Sequence, residues 1–337
     1  FFKNEFECRK STADTKLAHS KHVTCDELIE KSVDLAQVVK DMDGSAEVFG
    51  PSLYGYTAYQ SLAGAPDWGG KQSAGNYRWF IDYYLDEMKK AEKSDGRRLL
   101  DVLDIHYYTE AKGECGQRSC SHYDRDGCVK ARLDSVRSLF EEGYLENSWI
   151  ADNGAEFFPL IPNIQQSIDQ YYPGTKLAFT EYNFGGGDHI SGGVCQADVL
   201  GIFAENGVYF SSLWPIGQNQ YQLAAINMFT NYDGRGSGFG NTLVKSESSD
   251  RNTVSAYSAT DENGDLRVIL TNKSLHEETT ISLTIGGETG YSCAEVYELY
   301  GDSTDIRSAD PAELDGRVLE YSLKPLSVTE LVFKASQ

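Results

Sequence analysis

The sequence predicts an α/β domain followed by an antiparallel β-sandwich, on three observations. Short apolar runs alternate with amphipathic stretches from residue 24 to residue 229. A glycine-rich segment, residues 234–241, then interrupts that pattern. Beyond it, short segments of alternating apolar and polar residues are divided by turn formers. Strand and helix in regular succession imply parallel strands joined by helical crossovers. Alternating segments between Gly, Asn and Asp turns are the pattern of an antiparallel sandwich. The boundary falls near residue 240, giving domains of residues 1–239 and 240–337.

The chain opens on FFKNEF, an apolar and aromatic stub that runs into Asn4 and Glu5. A helix follows from Thr24, with Asp26 and Glu27 in its first turn and Leu28, Ile29, Val33, Leu35, Ala36 and Val39 at helical spacing. Residues 46–51 read as a strand, 77–91 as a second amphipathic helix and 99–108 as another strand. Residues 109–150 read as one long irregular excursion, of a length that is usually functional or mobile. A third helix spans 160–171 and ends at Pro173-Gly174. Leu177, Ala178 and Phe179 are too short an apolar run for a helix and suit a buried strand, which ends in Thr180-Glu181-Tyr182-Asn183 before Gly185, Gly186 and Gly187. A helix around residues 195–205, a strand over 207–215 and a helix over 221–229 complete the alternation. Five strands are visible, counting the stub. A (β/α)8 TIM-type barrel needs eight, so in a barrel the first three strands and part of the fourth lie before Phe1. Sandwich strands are expected at residues 254–257, 266–271, 280–285, 294–300, 318–323 and 328–333.

A net charge of −21 argues against nucleic acid and anionic membranes as partners. It also disfavours an acidic polysaccharide while allowing a neutral one. The 21 tyrosines include rings able to stack on sugar faces, although most are expected in the core. No run approaches the roughly 18 apolar residues of a membrane span. The chain starts at Phe1 rather than Met, so the lack of a secretory signal says little about compartment. Cys115, Cys120 and Cys128 crowd one polar loop with His122. Zinc is conceivable there, but the spacing matches no finger or ribbon. A local disulfide is the better reading, and three free surface thiols the expected one. A structural calcium suits so acidic a chain, yet no EF-hand-like loop marks a site; the metal question is left unknown.

A carboxylate at the carboxyl end of a buried strand, before a glycine-rich loop, is where a barrel enzyme places its chemistry. Packing alone does not ask for an acid there, because an unpaired buried charge costs several kcal/mol; the plain alternative is an acid paired with a nearby Lys or Arg. Retaining hydrolysis of a glycosidic bond needs two carboxyls about 5 Å apart, a nucleophile and an acid/base. Glu181 and Glu5 are the pair, each after an apolar strand and before a loop. Asn4 is placed to bond the sugar 2-hydroxyl. His106 and Tyr108 share one strand face and are suited to orient the carboxylates. Trp214 could stack under the reacting sugar, and Tyr182 completes the substrate-binding candidates. Any one of these is more often structural than functional; together, on four strand ends, they are hard to explain by packing.

The sequence resembles glycoside hydrolase family 44, the endoglucanases and xyloglucanases built as a (β/α)8 barrel plus a β-sandwich. The resemblance is carried by LLDVLDIHYY (99–108), DYYLDEMKKA (82–91), YYPGTKLAFTEYNFGGGDHISGG (171–193), ADVLGIFAENGVY (197–209) and NYDGRGSGFGNT (231–242). It implies that Glu181 is the nucleophile and that Glu5 stands where the family's Asn-Glu-Pro acid/base glutamate stands. It also implies a retaining, endo-acting, cofactor-free mechanism on β-1,4-glucans such as cellulose, carboxymethylcellulose and xyloglucan. Phe6 replaces the family's proline, and residues 1–20 are less similar than the rest, so Glu7 competes with Glu5 for the acid/base role. The expected setting is extracellular, secreted or at the cell surface, with the signal outside this chain, as a monomeric catalytic module of a larger chain acting on neutral plant cell-wall polysaccharide. Two other readings stand beside it: a mannanase or xylanase on the same barrel, and a glycan-binding protein without turnover.

Overall fold

The structure is a computed structural model that describes residues 23–114, 125–215 and 217–336. The expected strand stub with Asn4, Glu5 and Glu7 lies outside the described residues, as do Cys115, Cys120 and His122. The chain forms two compact units. The first draws on residues up to Tyr108, Ile161–Tyr182 and Val208–Leu213; the second on Thr109–Leu160, Asn183–Gly207 and Trp214 onward.

The first unit holds a parallel sheet in the order β1 (Phe49–Leu53), β2 (Val102–Tyr108), β3 (Lys176–Asn183) and β4 (Phe210–Leu213). Helix α1 (Cys25–Met42) starts as expected, because the Thr24 hydroxyl accepts the Glu27 N–H at 3.1 Å. Short helices α2 (Tyr56–Ser61) and α3 (Trp68–Gly75) follow β1. Helix α4 (Phe80–Asp95) begins three residues later than the sequence suggests. There the Asp82 carboxylate accepts the Arg78 N–H and the Trp79 indole N–H, both at 2.9 Å, so residues 77–79 are held in a turn. Trp79 also donates to Ser167 Oγ at 2.8 Å on α7 (Leu160–Tyr171), which ties α7 to α4. Beneath the sheet, Lys40 Nζ bonds Asp101 Oδ2 at 2.8 Å and the Ala46 carbonyl at 2.7 Å. That buried cation fixes the end of α1 to the entry of β1.

In the second unit a six-stranded sheet runs in the order β10 (Arg307–Glu313), β9 (Cys293–Tyr300), β12 (Ser327–Phe333), β7 (Leu266–Asn272), β6 (Val254–Thr260) and β5 (Thr242–Val244). A two-stranded sheet pairs β11 (Val318–Leu323) with β8 (Thr279–Thr284). Leu319 and Leu323 of the small sheet share one core with Val268, Leu270, Val296, Leu331 and Phe333 of the large one. Strands β5 and β10 escape the alternation rule. In β10 the register shifts between Ala309 and Ala312, around Pro311, at the sheet edge. An edge bulge is where a strand tolerates a residue with no N–H.

Residues 109–150 are not irregular throughout. They contain α5 (Asp126–Ser135) and a 3-10 turn over Val136–Leu139, and end at the start of α6 (Trp149–Gly154). Helix α5 buries Cys128, Val129, Arg132 and Leu133 on one face. An arginine in that face breaks the apolar stripe from which a helix is read. Helices α8 (Ile190–Glu205) and α9 (Gln220–Thr230) complete the unit. Helix α8 meets the large sheet through a buried polar knot: Lys273 Nζ lies 2.8 Å from Asp198 Oδ2, and the Tyr257 hydroxyl donates to Asp198 Oδ1 at 2.5 Å. Among the described residues no helix is long and apolar enough to cross a membrane.

Candidate active site

Strand β2 presents Asp104, His106 and Tyr108 on one face, since alternate side chains of a strand point the same way. Glu181, near the carboxyl end of β3, meets the last two of them. The Tyr108 hydroxyl donates to Glu181 Oε2 at 2.9 Å, and His106 Nδ1 lies 3.3 Å from the same oxygen. The Glu181 side chain is 16% exposed, so it is sheltered yet reachable. Tyr59 donates its hydroxyl to the His106 carbonyl, fixing β2 from the helix side.

Thr180 and Glu181 are neighbours, and a regular strand would turn them to opposite faces. Both nevertheless reach β2 residues of one face: the Thr180 hydroxyl donates to Asp104 Oδ1 at 2.5 Å, while Glu181 meets Tyr108 and His106. The reason is an extra residue. Phe179 pairs with Ser211 and Tyr182 with Leu213, so β3 spends three steps where β4 spends two. A bulge of this kind re-aims a side chain and is frequent beside active sites. Tyr182, the next residue, follows ordinary alternation, turns to the face opposite Glu181 and is 1% exposed. The expectation that Tyr182 binds substrate is therefore corrected: its ring is packed in the core.

The electrostatics fit a fixed carboxylate. Burial lowers the His106 pKa below its ordinary 6.5, against the opposing pull of Glu181 and Asp104, so the imidazole is neutral at pH 7. Burial, and then the bond to Glu181, push the Tyr108 phenol well above its usual value, so it remains a donor. Both contacts fall on Oε2.

Trp214 and Asn183 belong to the second unit. Trp214 is 40% exposed, and its carbonyl accepts Asn183 Nδ2 at 2.7 Å. Asn183 Oδ1 accepts the Gly185 N–H at 2.6 Å and Gln222 Nε2 at 3.0 Å, bracing the turn after β3. Two of the glycines there are steric necessities. Gly186 has φ +66°, and a Cβ on it would lie 2.5 Å from the Arg132 guanidinium carbon; one on Gly192 would lie 2.0 Å from the Gly186 carbonyl oxygen. Arg132 itself is fully buried and donates to Ser191 Oγ at 2.5 Å. Sequence reading missed this support, although the buried-face spacing of Val129, Leu133 and Val136 carried a signal.

Among the described residues no group of His, Cys, Asp and Glu could hold a metal ion. Cys128 is buried and disulfide-bonded, with its partner outside the described residues. The expectation of three free surface thiols is thereby corrected: Cys128 sits on the inward face of α5, where it packs rather than meets solvent.

Residues 2–111 match the profile of glycoside hydrolase family 44. Endoglucanase A of Paenibacillus lautus is 44% identical over 325 residues, which cover 94% of this chain and 46% of that protein. These matches make the chain similar to glycoside hydrolase family 44. Its α/β fold superposes on the crystal structure of a family 44 endoglucanase from Clostridium thermocellum with a TM-score of 0.90 at 45% identity, covering 94% of this chain and 62% of that one. A family 44 xyloglucanase from Paenibacillus polymyxa, solved with xyloglucan, gives 0.90 at 40% identity, over 94% and 63%. The chain thus spans about half to two thirds of the length of these relatives.

Proposed function

We propose that this chain carries the nucleophile of a retaining, endo-acting hydrolase of β-1,4-glucans, with Glu181 as nucleophile and Glu5 as acid/base. The observation that supports it most is the convergence of Tyr108 and His106 on one oxygen of Glu181 at a strand end. The hydrogen bond from Tyr108 to Oε2, with His106 Nδ1 3.3 Å from the same oxygen, fixes the orientation of the carboxylate and leaves Oε1 to attack. In the first step a Glu181 oxygen bonds the anomeric carbon, the glycosidic C–O bond breaks and protonated Glu5 delivers its proton to the departing oxygen. In the second, Glu5 takes a proton from water, the water oxygen bonds the anomeric carbon and Glu181 is released. No cofactor enters either step. Asn4 is the proposed partner of the 2-hydroxyl, and the exposed indole of Trp214 a platform for sugar.

The proposed architecture is a (β/α)8-type barrel domain over residues 1–239, with a β-sandwich over 240–337. The six- and two-stranded sheets around a shared core support the second part. Relatives named for endoglucanase and xyloglucanase activity support a neutral glucan as substrate; the proposed setting is extracellular. Initial rates on carboxymethylcellulose, xyloglucan, mannan and xylan test the preference, beside calorimetric binding of cello-oligosaccharides. Glu181→Gln is expected to abolish hydrolysis while oligosaccharide binding and thermal stability stay near wild type. Near-normal turnover in that variant rules out the assignment; binding without turnover in the unaltered protein favours the glycan-binding reading.

A further inference from the structure

One buried carboxylate on the face that carries Glu181's partners has no part in the steps above. Asp104 is 2% exposed and stands on β2, two residues before His106 and four before Tyr108. Its Oδ1 accepts the Thr180 hydroxyl at 2.5 Å and the Thr180 N–H at 3.3 Å; its Oδ2 accepts the Ser52 hydroxyl at 2.5 Å. Both partners stand where a strand breaks register. In β1, Pro51 pairs with Asp104 but Leu53 with Ile105, so Ser52 is an extra residue, and its φ of +57° is one that side chains rarely adopt. In β3 the extra residue falls between Phe179 and Tyr182. Bulges are rare in parallel pairing. Here the strands on both sides of β2 carry one, and a single carboxylate reaches both.

We propose that Asp104 is a positioning residue for Glu181, its carboxylate clamping the irregularities of β1 and β3 so that Thr180 and Glu181 face the same side of the sheet. The claim rests on the reading of Glu181 as nucleophile. Consecutive side chains of a regular strand oppose each other, so a β3 released from Asp104 can regain alternation only by turning Glu181 away from Tyr108 and His106. A misplacement of about 1 Å at a reacting group costs on the order of 100-fold in rate.

Thr180→Val keeps volume and branching but removes the hydroxyl donor, and Thr180→Ser restores it. On an aryl β-cellobioside, kcat of Thr180→Val is expected to fall about 100-fold with KM within about threefold, and Thr180→Ser to recover to within about threefold of wild type. Asp104→Ala is expected to lose as much, and the double variant no more than either, because the two groups act as one clamp. A second readout needs no turnover. The Glu181 carboxylate, 3.3 Å from His106, raises the titration midpoint of that imidazole. By NMR, Thr180→Val should therefore lower the midpoint in the direction that Glu181→Gln does. A wild-type midpoint in a folded Thr180→Val overturns the proposal, as does a kcat within about threefold of wild type. If Thr180→Val does not fold, Ser52→Ala takes its place under the same criteria. Should no form, wild type included, hydrolyse the glycoside, the hydrolase reading fails, while the His106 midpoint still decides the clamp.

Discussion

At the scale of single residues, the site is a question of what a buried carboxylate touches. Glu181 receives a hydrogen bond from a phenol that burial and the bond itself keep protonated, and a contact from an imidazole that burial keeps neutral at pH 7. His106 also sets a pH sign. Its folded pKa lies below its unfolded value, so the unfolded chain binds more protons and the contribution of His106 to stability is lost as pH falls below about 6.5. For Tyr108 the outcome is kinetic. A hydrogen bond to a charged group is worth about 1.5–3 kcal/mol. Tyr108→Phe is therefore expected to lower kcat about 10- to 100-fold, with KM within about threefold, in steady-state assays on xyloglucan. An unchanged kcat would mean that the phenol does not hold the reacting carboxylate.

At the scale of elements, the same sequence signals succeed or fail according to what each element buries. Helix α7 falls on the expected residues because Leu160, Ile161, Ile164 and Ile168 form an uninterrupted buried stripe. Strand β3 was legible from Leu177, Ala178 and Phe179, and with it the position of Glu181. Tyr182 was misread although alternation alone turns it away from Glu181; what the order of residues does not show is the bulge that brings Thr180 and Glu181 to one face. Helix α5 was missed because Arg132 occupies its inward face, and β10 because Pro311 sits in an edge bulge. Asp104 looked like one polar residue in an apolar run; its two hydroxyl partners come from other strands and exist only once the sheet forms. The seat of α8 on the six-stranded sheet depends on similarly remote partners. Lys273 and Asp198 are both buried, and breaking such a pair from one side costs about 3–5 kcal/mol. Lys273→Met is expected to lose that much in urea denaturation, and Lys273→Met with Asp198→Asn to recover a large part of it. A loss below about 1 kcal/mol would show that the charge of Asp198 has another counterpart.

At the scale of the whole molecule, the charge of −21 disfavours any anionic partner and is compatible with the neutral glucan proposed as substrate. The first unit carries Glu181, Tyr108, His106 and Asp104, so the surroundings of the proposed nucleophile come from one short parallel sheet. A retaining mechanism makes one demand that inversion or simple binding does not: a covalent glycosyl-enzyme. A 2-deoxy-2-fluoro β-cellobioside with a dinitrophenyl leaving group accumulates that species without help from the acid. Incubation with it, followed by proteolysis and mass spectrometry, is expected to find one added fluorocellobiosyl group on the peptide containing Glu181. A label on another carboxylate, or full turnover of the natural substrate with Glu181 unlabelled and inactivation absent, would contradict the account.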